Sequence, residues 1–148
     1  MLKDILCLDY KGFPQYKKEA DASKPNDTPS RMKILEDNDM LYDGKKINEM
    51  IVNTVTTKQD RNPNSGLITY KNYARGKTKW RYLTPRECFK LMGFDESDFD
   101  NPMVTKSRSL YSTEKLIKMA GNSIVVDVLE AIFRQIMDIN TDILGERK

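Results

Sequence analysis

Two cysteines, no histidine and one strongly basic segment decide which chemistry this 148-residue sequence can perform. Cys7 and Cys88 stand alone, with no CxxC spacing. Without histidine there is no Cys/His zinc pattern, no Ser-His or Cys-His nucleophile and none of the commonest general base. A self-contained hydrolase is not expected, and isolated thiols point to the reducing cytoplasm. The charge is uneven. Residues 58–90 hold nine Lys/Arg against two Asp/Glu, whereas 1–57 hold nine against ten and 91–148 seven against ten. A basic segment between acidic ones implies an anionic partner at that place. Tyr70, Tyr73, Trp80 and Tyr82 are interleaved with the cations, which suits nucleic acid.

The elements that must position these residues are partly written in capping chemistry. Thr84 is an N-cap, Pro85 sits at the first helical position and Glu87 closes a capping box, while Gly93 and Phe94 end the helix. Arg86 and Lys90 share one face of it at i, i+4. Upstream, Leu2–Leu8 is a short apolar piece, 17–31 reads as a polar loop, and Met32–Leu35 and Met40–Tyr42 flank an acidic turn. Asp43-Gly44 marks a reversal, Met50–Thr57 is β-branched and reads as a strand, and Asp60–Gly66 is a loop. Leu67–Tyr70 and Lys79–Leu83 form a hairpin through Ala74–Gly76.

Downstream, Asp95–Asp100 is expected to be irregular. Ser112 caps a helix to Ala120, Gly121 closes it, and Asn122 or Ser123 caps the next. In that last helix Val125, Val128, Leu129, Ile132, Phe133, Ile136 and Met137 form an apolar stripe that must be buried against something. If Gly121-Asn122-Ser123 opens a helix, its N–H groups suit an anionic ligand group. The fold class is α+β, irregular and β-rich first and helical last, with 1–83 as one region and 84–148 as the other. No run of apolar residues is long enough to span a membrane, and no secretory leader pattern precedes the chain.

Taken together these pieces resemble the C-terminal part of a DNA cytosine-5 methyltransferase. Arg81-Tyr-Leu-Thr-Pro-Arg-Glu-Cys88 with Leu91-Met-Gly-Phe94 is similar to the ninth sequence block of that family. Ala120-Gly-Asn-Ser-Ile-Val-Val126 through Val128-Leu-Glu-Ala131 is similar to the tenth, with Asp127 where proline is common. Asn53-Thr-Val-Thr-Thr-Lys-Gln-Asp-Arg-Asn-Pro-Asn-Ser-Gly66 resembles the end of the target-recognition domain, and Leu2–Leu6 the approach to it. The Pro-Cys, Glu-Asn-Val, Gln-x-Arg-x-Arg and glycine-containing cofactor blocks are missing: Cys7 follows Leu6 and Cys88 follows Glu87.

The resemblance implies an S-adenosylmethionine-dependent enzyme in which a cysteine thiolate attacks C6 of a flipped-out cytosine. This chain holds no such nucleophile, so its share is double-stranded DNA recognition and support of a catalytic domain or subunit that carries Pro-Cys. Thr54, Val55 and Thr56 would form the base-reading edge. Lys58, Gln59, Arg61, Asn64 and Ser65 would enter the major groove, and Arg75, Lys77, Lys79 and Arg81 would hold phosphates. Thr84, Arg86 and Glu87 would be scaffold, Asn122 and Ser123 would close one side of the cofactor pocket, and the apolar stripe would dock on the Rossmann-like catalytic domain. A cut segment, a small subunit of a split enzyme of a restriction-modification system and a gene remnant all fit. So do a stand-alone DNA-binding module and an inert interaction fragment, and the isolated chain is expected to self-associate or to expose its apolar stripe.

Overall fold

Proline at the first helical position starts three of the helices that carry the architecture. The computed structural model of the chain describes residues 1–48, 52–59, 61–105, 108–109 and 111–145. After the single turn α1 (Leu2–Ile5), α2 (Pro14–Ala22) and α3 (Pro29–Glu36) each follow a residue held extended by its proline, Phe13 and Thr28. The polar loop expected over 17–31 is therefore corrected: α2 runs through it to Ala22 and α3 begins before its end. Thr28-Pro29 carries the same start signal as Thr84-Pro85.

A small sheet follows, with β1 (Met40–Tyr42), β2 (Leu67–Thr69) and β3 (Trp80–Arg81) in the order β1-β2-β3. The β1–β2 pair is parallel, and the β2–β3 pair is antiparallel with Ile68 opposite Arg81 and Thr69 opposite Trp80, as the hairpin reading required. The strand expected over Met50–Thr57 does not form in its described part. Met50 and Ile51 lie outside the described residues, 52–56 pairs with no strand, and 57–59 turns. Val55 is buried there, and packing has overridden β propensity. The first half is thus mixed rather than β-rich.

The capped helix α4 (Pro85–Leu91) is as the sequence specified, with the reciprocal Thr84–Glu87 capping box in place. Gly93 at φ +82° turns the chain, its N–H donating to the Lys90 carbonyl and that of Phe94 to the Phe89 carbonyl, a Schellman ending. The acidic stretch that follows is helical rather than irregular. In α5 (Glu96–Met103) two carboxylates favour the first turn, and Phe99 meets the Phe89 ring edge-on at 5.3 Å. A two-residue hairpin, β4 (Val104–Thr105) with β5 (Arg108–Ser109), precedes α6 (Thr113–Asn122) and α7 (Val126–Gly145). One apolar core joins Leu2, Leu6, Leu41, Val55, Ile68 and Leu83 to Cys88, Phe89, Met92, Leu116, Ile117 and Ala120. It draws on both sides of residue 83.

Beside that core lies a buried ion pair. Arg81 is 0 % exposed. Its two terminal nitrogens donate to the Glu87 carboxylate at 2.7 and 2.8 Å, and it also donates to the Tyr82 carbonyl at 2.8 Å. The Tyr10 hydroxyl takes the remaining side-chain bond at 3.2 Å. Glu87 in turn accepts the backbone N–H groups of Cys7 and Thr84, each at 2.8 Å. Burial alone would raise the Glu87 carboxyl. The Arg81 charge and the two N–H donors outweigh it and hold the carboxyl below its ordinary value.

Removing one partner strands the other charge in the interior, so Glu87→Ala is expected to cost about 3–5 kcal/mol in chemical unfolding. Because the native carboxyl titrates below the unfolded one, its contribution is complete above the unfolded value and lost as pH falls through the native value. Glu87→Gln is therefore expected to be less stable near neutrality and to flatten the acid limb of the stability curve. An unchanged acid limb would contradict this role for Glu87.

Candidate functional site

The residues expected to read DNA lie on a loop fastened at four points. Arg61 and Asn62 both return their N–H groups to the Lys58 carbonyl at 2.9 Å. Asn64 Nδ2 donates to the Thr54 carbonyl at 3.1 Å, and Gln59 Oε1 accepts the Ser65 N–H at 3.2 Å inside the loop. From the other side, the Arg31 guanidinium of α3 donates to the Arg61 carbonyl at 2.6 Å. Thr54, Lys58, Arg61 and Asn64 are exposed, and Thr56 is half-buried. Val55, Gln59 and Ser65 are buried: Val55 joins the core and the Gln59 carboxamide shapes the loop from within. For these three a direct contact with a base is corrected to an internal role. Arg61 also lies 3.7 Å from Glu114 at the start of α6, an exposed pair of little energetic weight.

The phosphate candidates divide. Arg75, Lys77 and Lys79 are exposed on the turn between β2 and β3, Lys77 Nζ donating to the Lys24 carbonyl and Lys79 lying 4.9 Å over the Trp80 ring. Tyr73 on the same turn is open to solvent. Arg81 is not available to phosphate, since it is enclosed with Glu87; strand alternation turns it to one face of the sheet, while Trp80 packs half-buried on the other against Leu35, Leu67 and Tyr82. The two lysyl cations and Arg75 carry no such commitment.

Thr84, Arg86 and Glu87 make internal contacts. Arg86 stacks on Phe99, with 4.5 Å from the guanidinium carbon to the ring centre, and pairs with Glu19 of α2 at 3.0 Å and with Glu96 and Asp100 (2.8 Å) of α5. It clamps three helices. No sequence signal pointed to Glu19 or Tyr10, because both act across the fold from a segment that reads as polar.

At the far end, Asn122 and Ser123 are placed differently from the expected helix start. They end α6: Asn122 is its last residue, and Ser123 caps it with N–H and hydroxyl on the Ala120 carbonyl at 3.0 and 2.8 Å. The next helix starts at Val126, whose N–H is taken by the Met92 carbonyl at 3.0 Å. The anion-binding helix N-terminus expected at Gly121–Ser123 is thus replaced by a helix C-terminus, which carries partial negative charge. Gly121 is needed for a close approach. A Cβ there would lie 2.6 Å from the Thr56 carbonyl carbon and from the Thr57 nitrogen. The α6 terminus and the Thr54–Thr57 segment therefore touch backbone to helix.

Neither thiol is placed for nucleophilic chemistry. Burial, and then the Glu87 carboxylate, pushes Cys7 up to about 12, and the same two causes raise Cys88. Among the described residues no cluster of His, Cys, Asp and Glu could hold a metal ion, and no helix is long and apolar enough to cross a membrane. The last helix α7 stands away from the core, with Phe133 61 % and Met137 64 % exposed. Its stripe is open along Val128, Ile132 and Ile136.

The profile of one protein family, C-5 cytosine-specific DNA methylase, matches residues 8–138. Type II methyltransferase M2.ScrFI of Lactococcus lactis subsp. cremoris is 41% identical over 70 residues, 47% of this chain and 18% of that protein. Orphan methyltransferase M.Rho11sI of Bacillus phage rho11s is 44% identical over 61 residues, 41% of this chain and 11% of that protein. The putative type II methyltransferase M.BsuMIIP of Bacillus subtilis strain 168 is 43% identical over 61 residues, 41% of this chain and 13% of that protein. The matched part is less than a fifth of each of these proteins. No solved structure matches the chain.

Because the atoms facing Gly121 are backbone, they cannot move aside by a rotamer change. Gly121→Ala is expected to destabilise the chain by about 1–3 kcal/mol, in the range of overpacking. Thermal melting together with amide chemical shifts checks this, the largest shifts falling on Thr56 and Thr57. Wild-type stability with unperturbed shifts at those two residues would show that the contact is not made.

Proposed function

Since the chain belongs to the C-5 cytosine-specific DNA methylase family, we propose that it is the C-terminal, DNA-recognising part of an S-adenosylmethionine-dependent DNA cytosine-5 methyltransferase. A catalytic domain or subunit carrying the Pro-Cys nucleophile completes it, in the cytoplasm of a bacterium or phage-infected cell. The observation that carries this is the contact at Gly121, which seats the α6 terminus on the Thr56–Thr57 peptide. If Thr54–Thr56 read bases and Asn122–Ser123 face the cofactor, this contact would make the two sites neighbours, although some 65 residues separate them in sequence.

Each part has a physical role. Arg61 and Asn64 have the donor geometry that suits guanine and adenine edges, with Thr54 and Thr56 alongside. Lys58, Arg75, Lys77 and Lys79 add phosphate contacts that carry affinity without sequence information. Asn122 and Ser123 would hold S-adenosylmethionine. The exposed carboxamide of Asn122 and the negative end of α6 suit a ligand whose sulfonium and ammonium groups are positive. When bound, that cofactor supplies the methyl group. The stripe on α7 would be covered by the catalytic domain, because an apolar face of that length is uncommon on a free monomer.

The test is reconstitution. Purified chain is expected to transfer no labelled methyl group to DNA alone and to restore transfer when a catalytic half is added, with Cys88→Ser neutral. In the reconstituted enzyme Arg61→Ala is expected to relax sequence preference, a guanine contact being worth roughly 1–3 kcal/mol of discrimination, and to leave cofactor affinity unchanged. Asn122→Ala is expected to weaken S-adenosylmethionine binding and slow turnover on every sequence alike. Transfer by the chain alone, or exchange of these two phenotypes, would overturn the assignment. Binding of an apolar dye by the isolated chain, lost on adding the catalytic half, is the expected signature of α7. Dye binding that persists in the complex would remove that docking role.

A further inference from the structure

A second wall faces the recognition loop. α3 borders an open cleft of about 580 Å³, lined on one side by Thr28, Ser30, Arg31, Ile34, Asp37 and Asn38 and on the other by Lys58, Arg61 and Asn62. Resting on the reading of this chain as a DNA-recognition segment, we propose that α3 is a second DNA-contacting element, and that duplex DNA lies across the rim of the cleft, touching α3 as well as Lys58, Arg61 and Asn62 rather than the loop alone.

Four observations carry this. The two walls form one unit, because Arg31 reaches from α3 to the Arg61 carbonyl at 2.6 Å, so a ligand entering the cleft meets both. Among the described residues, three cations, Arg31, Lys58 and Arg61, line it with one carboxylate, Asp37. The helix is backed by the small second core, Leu35 beneath it packing with Leu67 and Tyr82, so its outer face is presented on a rigid support. Finally, the lining mixes charge with groups that read base edges. Ile34, an aliphatic side chain 39 % exposed, suits a thymine methyl, and the Asn38 and Asn62 carboxamides suit base-edge donors and acceptors. Thr28, Ser30 and the two asparagines also suit phosphate oxygens, so it is Ile34 that a patch holding only phosphate would not need. Asn38 Nδ2 is turned back to the Ile34 carbonyl at 2.6 Å, so its oxygen is the atom directed away from the helix.

The experiment measures binding of the 148-residue chain to a short duplex of mixed sequence by fluorescence anisotropy over a range of salt. Ser30→Asp puts a negative charge on the outer face of α3 and breaks no contact described here; Arg31→Ala removes one cation. Each is expected to weaken binding about five- to tenfold, and Arg31→Ala to lower the salt slope by about one, as the loss of one phosphate contact does. Arg31→Lys, which keeps the charge, is expected to recover most of the affinity. Lys58→Ala on the opposite wall serves as reference. If Lys58→Ala weakens binding while Ser30→Asp and Arg31→Ala do not, α3 is not a contact element and the inference fails with the DNA-recognition reading intact. If the chain binds no duplex at low salt, or none of these changes alters binding, both fail together. Melting curves of each variant separate loss of contact from loss of fold, and a weakened variant that melts well below wild type counts against the inference unless Ser30→Asp, at wild-type stability, shows the same loss.

Discussion

A single buried carboxylate, that of Glu87, fixes the relation between the three parts of the chain. It closes the capping box of α4, neutralises Arg81 at the end of the sheet and holds the N–H of Cys7 in the opening segment. A buried ion pair is expensive to form and need not add stability over an apolar substitute. What it supplies here is a unique arrangement, since only one placement of α1, β3 and α4 satisfies all of its bonds at once. Arg86 repeats the device nearer the surface with Glu19, Glu96 and Asp100. The basic segment thus contributes its two most enclosed cations, Arg81 and Arg86, to architecture, while Lys58, Arg61, Arg75, Lys77 and Lys79 stay exposed.

With that frame set, the surfaces left over fall on different sides of the chemistry. The 57–66 loop and α3 face one cleft, and Gly121 brings the end of α6 under the segment from which the loop springs. The end of α4 and the start of α7 are joined at Gly93, where a Cβ would approach that of Val126 to 3.2 Å, and by the Val126 bond to Met92. Beyond that joint α7 projects with its apolar stripe uncovered. A helix of this kind gains its stability from packing rather than from propensity. The chain also spans a small share of the methyltransferases it matches.

Much of this was legible in the residues and some was not, for physical reasons. The start and stop of α4 could be read because capping chemistry is local: Thr84, Pro85 and Glu87 act within three residues of one another, and Gly93 acts on the Lys90 carbonyl three residues before it. The β2–β3 hairpin was legible for the same reason. The helices α2 and α3 were hidden because their apolar content is sparse, with only Ala20 and Leu35 buried, so no periodic stripe marked them. Their start signals, Phe13-Pro14 and Thr28-Pro29, were present all the same. Over 52–57 the β-branched run suggested a strand, but partner strands are a tertiary fact that propensity does not contain. Arg81 read as a phosphate contact because its neighbours in sequence are exposed cations. Its inward turn follows from β pairing, which the charge count ignores. The Gly-Asn-Ser turn read as a helix opening, whereas Gly121 is there for a crossing of two backbones, a contact with no local signature.

The central claim is that the opening segment, the small sheet and the capped helices form one body through Glu87, and native-state hydrogen exchange tests it most directly. The amides to follow are Leu67 and Tyr70 in the sheet, Cys7 and Thr84 at the carboxylate, and Cys88 and Leu116 in the helices, each of which donates a hydrogen bond in the structure. The account predicts that all six open together with the free energy of global unfolding, and that Glu87→Gln lowers that free energy for all six by the same amount. Exchange of Leu67, Tyr70 and Cys7 through a separate, easier opening while Cys88 and Leu116 stay protected would contradict it.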